Sequence, residues 1–480
     1  MSAPSDRRRA VLFLMHSPAY VRNFEPVLRA LAGRGADTTV LFEERKPGGD
    51  DAGLELIARL CEELGPVRYE LLAPPLGTRA RPRRLLEAGQ DYLRYFDPPY
   101  GDGTRLRARA IASLPAGLER ALAFVLRRSP RTRRVLAATA RRINARLGND
   151  PQLRRELERR GPGALIVTPM VHFRSRQGDW VRAARELGIG TMLCVHSWDN
   201  LTNKGLMHAR PDRVVVWNEA QRREAVDLQG AAPDSIVVTG AWPYEHWHGW
   251  RPSGSRAEFF GRLGLPAERA MILYVCSSRF IAEHERPVVA RWVRALRSAA
   301  DERVATANIV VRPHPLNGDE WGAGSLADLP GVAVFPPGGA EPVDDASRTD
   351  YFDSISHADA VVGVNTSALI ESAIIDRPAL ALPDFRSSQE ELPHFRLLVG
   401  ELGMLAVSAS LGEHVAQLSV ALADPERGAA ARRRFVESFI RPAAGAPSPA
   451  ERVVELVDEL LDSPPVTGPA GAHPRARMHA

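Results

Sequence analysis

What this chain has little of narrows it first. Of its 63 basic residues only Lys46 and Lys204 are lysine; the rest are arginine. Three cysteines, Cys61, Cys194 and Cys276, stand far apart with no CxxC pair, which excludes a zinc-ribbon type of site and a disulfide-stapled scaffold. Aromatics are 6% of the chain and do not interleave with its arginine-rich stretch. That removes the stacking platform of a single-strand nucleic-acid binder, so no nucleic-acid partner is expected. No apolar run approaches the ~18 residues of a membrane span. The apolar patch behind the basic N-terminus is too short for a secretory signal, so a cytoplasmic protein is expected. There is no GxxxxGK[ST], no GxGxxG after the first apolar run, no GxSxG, and no DxD or HxxxH cluster. These absences speak against a P-loop, a nicotinamide site, a hydrolase elbow and a metal centre.

What is present reads as a globular chain of more than one domain: 480 residues, 44% hydrophobic, 25% charged, net charge +5. Short apolar runs alternate with amphipathic stretches. "AVLFLM" (10–15), a helix "FEPVLRALAGRG" and "DTTVLFEE" form a βαβ opening. The rhythm resumes at "ALIVTP" (164–169), "TMLCVHS" (191–197), "RVVVWN" (213–218) and "SIVVTGA" (235–241). A second series runs "MILYVCSS" (271–278), "NIVVRPHP" (308–315), "VAVFPP" (332–337), "ADAVVGVNTSALIESAIIDRPALALP" (358–383) and "MLAVSA" (404–409). The predicted fold class is α/β: two Rossmann-like domains facing across a cleft. The expected division is 1–243, carrying a helical basic insertion at about 76–150, then 244–445, a closing helix at 446–462 and a disordered tail at 463–480. The insertion reads either as a solvated basic face or as a platform for an anionic membrane surface.

In such sheets ligands sit beyond the C-terminal ends of the strands. Reading only those ends gives His16, Ser17, Asn23, His172, His196, Ser197, Asp199, Asn200 and Lys204 in the first half. The second half gives Ser277, Ser278, Arg279, Arg312, His314, Asn365, Thr366, Ser367 and Glu371. Thr366 or Ser367 fits a helix cap, but a capping box needs its carboxylate three residues on, and Glu371 fits neither. A phosphate at the helix start and a sugar diol on Glu371 account for both features. "RPHP" (312–315) stiffens a strand exit and presents Arg312 and His314 there, while "CSSR" (276–279) adds two hydroxyls and an arginine. "HSWDNLTNKG" (196–205) reads as a polar cleft loop in which Lys204 supplies a mobile charge. His16, directly after the first strand, suits a general base.

The 357–383 stretch resembles the donor-binding signature of GT-B glycosyltransferases. "RPHP" is similar to a motif of the CDP-glycerol glycerophosphotransferase and wall- or capsule-polymer transferase group, and the first strand with residues 16–44 resembles the acceptor-side opening of that fold. The resemblance implies Glu371 on the donor ribose and Asn365, Thr366 and Ser367 facing the diphosphate. It further implies Ser277, Ser278, Arg279, Arg312 and His314 lining the donor half, and His16 or Asp199 as the acceptor-side base. The expected activity is metal-independent transfer from a nucleotide-sugar to a hydroxyl of a glycan or lipid-linked acceptor, without a resident cofactor. Gly363 stands eight residues before Glu371, where many retaining members carry a second glutamate, so inversion is favoured. Polyol-phosphate transfer, nucleotide-sugar 2-epimerisation and non-catalytic nucleotide-sugar binding are the alternatives.

Overall fold

The computed structural model describes residues 9–45, 49–72, 81–100, 103–114, 117–119, 122, 130–322, 326–385, 392–400, 403–441 and 447–462. The expected tail at 463–480 lies outside the described residues. Two wholly parallel sheets carry the chain. The first comprises β1 (Ala10–Met15), β2 (Asp37–Phe42), β3 (Val67–Leu71), β4 (Ala164–Thr168), β5 (Gly190–Cys194), β6 (Arg213–Val216) and β7 (Ile236–Val238). Their order is β3-β2-β1-β4-β5-β6-β7. The second comprises β8 (Met271–Val275), β9 (Asn308–Arg312), β10 (Val332–Val334), β11 (Ala360–Gly363), β12 (Ala379–Ala381) and β13 (Leu405–Ala406), in the order β10-β9-β8-β11-β12-β13. Each sheet reverses direction of growth once, between β1 and β4 and between β8 and β11. Those two switch points are where a doubly wound sheet opens a crevice.

The strands form because parallel sheets are covered on both faces and demand continuous apolar runs. In β1, Val11, Phe13 and Met15 join one core with Phe24, Val27, Leu28 and Leu31 of the Val21–Gly33 helix, whose 3/4 spacing makes that face. Leu12 and Leu14 join the opposite core with Val167 and Trp180. Each such side chain contributes about 1.5–3 kcal/mol by leaving water. The first of these cores runs without a break into the second lobe through Trp242, Tyr244 and Trp247. The aromatic connector read from the sequence is therefore a buried 3-10 turn, Trp242–Trp247, wedged between the lobes. The Pro449–Asp462 helix returns to the first lobe, where Leu460 packs 3.1 Å from where a Cβ on Gly190 would stand and Glu245 accepts from the Ala450 amide at 2.5 Å.

The described part of the insertion departs from a solvated basic face. It forms helices Arg81–Leu93, Thr104–Ala112 and Pro130–Arg146. Arg83 is buried and pairs with Asp179 at 2.8 Å, and Arg182 of the Gln177–Glu186 helix pairs with Glu87 at 2.8 Å. Arg94, also buried, donates to the carbonyls of Leu201, Lys204 and Gly205 at 2.9, 2.9 and 2.6 Å. Asp91 accepts from the Leu206 amide at 2.7 Å and faces His208 at 2.8 Å. Buried charge is tolerated because each group is paired or spread over several carbonyls. Among the described residues of the insertion, the Pro130–Arg146 helix keeps the exposed basic character expected. Among the described residues, no helix is long and apolar enough to cross a membrane.

Candidate functional site

The first-lobe half of the crevice is built on β1, β4 and β5. His16 follows β1 and is nearly buried; its Nδ1 lies 3.4 Å from Glu43, and its ring stacks on His172 with centroids 4.2 Å apart. Glu43 and Glu44 follow β2, and Glu44 lies 3.8 Å from the His16 Nε2, which makes no hydrogen bond. Ser17 opens the Pro18–Tyr20 turn with its carbonyl, and Asn23 is half-buried on the first turn of the helix behind it. His172 faces the Phe173 carbonyl at 3.0 Å; burial, with His16 and Lys204 adding to it, pushes its pKa down to about 3. Met170, just before it, holds a left-handed φ of 48°, fixed by the Gln177 side chain accepting from its amide at 2.8 Å.

The 196–205 loop closes this half. His196 meets Asn200 at 3.1 Å and is packed edge-on by Tyr20 at 4.5 Å. Burial and the charge of Lys204 hold His196 neutral, well below the ordinary imidazole range. Asp199 accepts from Ser197 at 2.5 Å and from Asn203 at 2.7 Å. Burial alone would raise the Asp199 pKa, but Lys204, His394 and the Ser197 bond outweigh it, and the group is held below the usual carboxylate range. A carboxylate held so far below the usual range is a weak base, and each of its oxygens accepts one bond. Lys204 is partly buried, and burial lowers its pKa against the opposing pull of Asp199. Gly205 is dictated by crowding: a Cβ there would meet Asp91 Oδ2 and the Val171 carbonyl at 2.9 Å.

The second-lobe half is built on β8, β9 and β11. Ser277 is fully buried; its amide donates to Glu285 at 2.9 Å and its carbonyl accepts from Asn317 at 2.8 Å. Ser278 is partly exposed, with its carbonyl spent on the Ile281 and Ala282 amides. Arg279 differs from the donor-lining role expected of it. It is exposed and held in a two-bond pair with Asp319 at 2.7 and 2.8 Å, with Asn317 at 3.1 Å. Arg312 ends β9 and is buried over the Tyr351 ring at 4.7 Å, and neither of its terminal guanidinium nitrogens has a hydrogen-bond partner. Burial lowers its pKa, opposed by Tyr351, Asp350 and Glu371. His314 accepts from the Leu316 amide at 3.1 Å, and burial, with Arg22 adding to it, lowers its pKa to about 4.

Gly363 ends β11 where a Cβ would press on Val275 and Thr366 at 3.0 and 3.2 Å. Thr366 is half-buried and accepts weakly from the Ala368 amide at 3.4 Å; Ser367 is exposed and makes no capping bond to its helix. Asn365 is buried. Glu371 is not held open as the sequence suggested: it accepts from Trp247 Nε1 at 3.2 Å and from the Tyr351 hydroxyl. Burial raises its pKa despite those two bonds.

His394 was not read from the sequence and is the link between the halves. Its Nδ1 meets Thr202 Oγ1 at 2.9 Å, its Nε2 faces Asn365 Nδ2 at 3.5 Å, and Trp198 packs edge-on at 4.6 Å. The lobes are also joined by Arg22 with Glu341 at 2.8 Å and by the buried pair of Arg348 with Glu25. Of the predicted residues, His16, His172 and His196 gather through ring contacts with one another and with Tyr20, His394 ties their loop to Asn365, and Arg279 is turned to Asp319. Of the residues missed, Glu43 directly follows β2 and was open to the same strand-end reading, whereas Trp247, Tyr351 and His394 arrive from other elements and carried no local signal. Among the described residues, no cluster of three or more His, Cys, Asp or Glu is arranged to hold a metal ion.

No protein-family model and no curated protein matches the chain in sequence. Solved structures do match it in shape. A glycosyltransferase from Rickettsia africae aligns with TM-score 0.53 at 10% identity over 95% of this chain and 99% of its own. The UDP-GlcNAc 2-epimerase from Methanocaldococcus jannaschii aligns with TM-score 0.50 at 11% identity over 94% and 99%. The UDP-GlcNAc 2-epimerase from Neisseria meningitidis bound to UDP-GlcNAc aligns with TM-score 0.50 at 10% identity over 94% and 99%. With its two facing parallel sheets, the chain has the GT-B fold.

Proposed function

We propose that this chain is a glycosyltransferase that takes a nucleotide-sugar as donor and delivers the sugar to a hydroxyl of a glycan or lipid-linked acceptor. One observation carries the reading. Arg312 is a buried cation at the end of β9, with two unsatisfied guanidinium nitrogens beside the Glu371–Tyr351–Trp247 cluster. An unpaired buried arginine is costly, and a nucleotide phosphate supplies the acceptor oxygens it lacks. Glu371 keeps spare lone pairs for a ribose diol, since its bonds to Trp247 and Tyr351 leave part of each oxygen free. The structural neighbours, among them a UDP-GlcNAc 2-epimerase bound to UDP-GlcNAc, support a nucleotide-sugar ligand.

In this reading His16 Nε2 takes the acceptor proton while Glu43 fixes the ring through Nδ1. Arg312 and the amides around Thr366 and Ser367 stabilise the departing diphosphate, so transfer needs no metal. The exposed Val135, Leu136 and Ile143 beside arginines on the Pro130–Arg146 helix support peripheral contact with an anionic inner membrane face. A nucleotide-sugar 2-epimerase is the second reading, favoured by the epimerases among the structural neighbours.

The test is thermal-shift titration of the full chain with UDP, GDP, CDP, dTDP, CMP and their sugars. A ligand at 100 Kd adds about 2.7 kcal/mol, and Arg312→Met is expected to abolish the gain. Stabilisation by no nucleotide, or an unchanged gain in Arg312→Met, overturns the proposal. Product analysis then separates the chemistries: epimerisation proceeds with no added acceptor, and release of CMP marks polyol-phosphate transfer.

A further inference from the structure

The Thr104–Ala112 helix is part of the insertion yet reaches the crevice. It is pinned at both ends. Arg105 donates to the Ile281 carbonyl at 2.9 Å in the loop after β8, and Arg174, after β4, donates to the Ser113 and Ala112 carbonyls at 2.9 and 3.2 Å. Between the pins, Arg109 lies with its guanidinium 4.5 Å from the Phe280 ring of the second lobe and 5.9 Å from the Phe173 ring of the first. Phe173 adjoins His172, which stacks on His16. Arg109 thus bridges the lobes beside the proposed base, and among the described residues its guanidinium faces rings and no carboxylate.

A second cation stands near. The Lys204 carbonyl accepts from the Tyr95 hydroxyl, and the Tyr95 ring lies 6.4 Å from the Phe173 ring that Arg109 faces. The Lys204 backbone is clamped, its carbonyl accepting from Arg94 and from the Tyr95 hydroxyl at 2.9 and 2.5 Å, so the loop cannot swing away. Its ammonium makes no hydrogen bond or ion pair among the described residues. The nearby Asp199 carboxylate, although hydrogen-bonded to Ser197 and Asn203, keeps its charge and offsets part of that of Lys204, so the two cations outnumber it by one. Unsatisfied side-chain atoms in this half include His16 Nε2, on a residue 5% exposed, and Asn200 Nδ2, on one fully buried, together with the acceptors Glu43 Oε1 and Asn203 Oδ1. Two cations facing one carboxylate leave a positive excess in a partly desolvated site, which a bound anion would neutralise.

We propose that Arg109 and Lys204 form an oxyanion site in the first-lobe half of the crevice, and that the acceptor carries a phosphoryl or carboxylate group which binds there. The proposal rests on the nucleotide-sugar reading for the word acceptor, but the site itself does not. The helical insertion is then a specificity element that reads the acceptor's charge.

The experiment is calorimetric titration of the full chain with inorganic phosphate and, separately, acetate, each with and without saturating UDP. The wild type, Arg109→Gln, Lys204→Gln and Arg109→Lys are compared, with circular dichroism to check the fold. Expected is phosphate or acetate binding to the UDP-loaded wild type, weakened at least tenfold in both glutamine variants and largely kept in Arg109→Lys. UDP affinity should stay within about twofold throughout. The stronger of the two probes names the acceptor group. Unchanged anion affinity in Arg109→Gln overturns the proposal, and so does a matching loss of UDP affinity, which would assign Arg109 to the donor diphosphate. If UDP fails to bind the wild type while the anion result holds, the donor reading falls and the oxyanion site stands.

Discussion

His394 lets the joint between the lobes be tested by pH alone. Only one neutral form satisfies its contacts: Nδ1–H donates to Thr202 Oγ1, whose own proton goes to the Asp199 carbonyl at 3.0 Å, and Nε2 accepts from Asn365. Protonating Nε2 would set two donors against each other. Burial, partly offset by Asp199, accordingly lowers the pKa of His394 from 6.5 to about 4. Because the folded value lies below the unfolded one, the unfolded chain binds the proton first as pH falls. Stability from this group is therefore whole above pH 6.5 and declines towards pH 4. One pKa unit is worth about 1.4 kcal/mol, so the loss is about 2 kcal/mol at pH 5 and about 3 kcal/mol once the window is crossed. The assay is urea unfolding of the wild type and His394→Gln at steps from pH 7.5 to 4.5. The glutamine retains a donor and an acceptor but does not titrate. The wild type should lose stability more steeply, by close to one proton in the slope. His172, His314 and His414 are also lowered by burial, but they titrate in both proteins and cancel in the difference. Equal slopes would refute the neutral bridge.

Asp179→Asn should destabilise the fold by about 3–5 kcal/mol, since it leaves the Arg83 guanidinium buried beside a neutral amide; urea midpoints check this, and a loss under 1 kcal/mol would contradict it. Glu371→Gln should leave the unliganded melting temperature unchanged or higher, because burial already disfavours the charge, while weakening nucleotide binding about tenfold; the nucleotide thermal shift reads both effects. Leu136→Glu combined with Ile143→Glu should abolish co-sedimentation with phosphatidylglycerol vesicles, and 0.5 M salt should weaken the wild type's binding; retention of both proteins on vesicles would locate membrane contact elsewhere.

The crevice was legible because a parallel sheet writes itself into sequence. Each central strand must be apolar on both faces, so the polar residue that ends it marks a strand end, and the winding rule says ligands gather there. His16, Ser277 and Arg312 were found by that route without regard to residue type. Arg279 misled for a reason of the same kind. Being one residue beyond a strand-end serine fixes where its Cα lies but not where a long side chain goes, and Asp319 across the loop captured it. Glu371 was placed correctly on its helix, yet its partners come from the connector and from the Asp345–Ser356 helix, 124 and 20 residues away.

The insertion shows why composition failed where periodicity succeeded. Arg83, Arg94, Arg105 and Arg109 sit in a run of arginines with no pattern to separate them from those on the Pro130–Arg146 helix. In the fold they diverge completely. Arg83 is spent on a buried ion pair, Arg94 holds the cleft loop by its carbonyls, Arg105 ties the two lobes, and Arg109 faces the crevice. Arginine suits all four tasks because its planar fork serves carboxylate, carbonyl and ring partners and stays charged when buried. With so few lysines, every such task falls to arginine, and the residue type no longer reports the task. Lys204 is informative for the converse reason. A lysine at a strand-end loop, clamped through its backbone and with no direct ion pair among the described residues, stands where an arginine would reach further and bond to whatever lies near. A compact ammonium on the same side of the fold as Arg109 adds a point charge without the forked reach of a second guanidinium, and the positive excess of the two over Asp199 is what an incoming anion would balance.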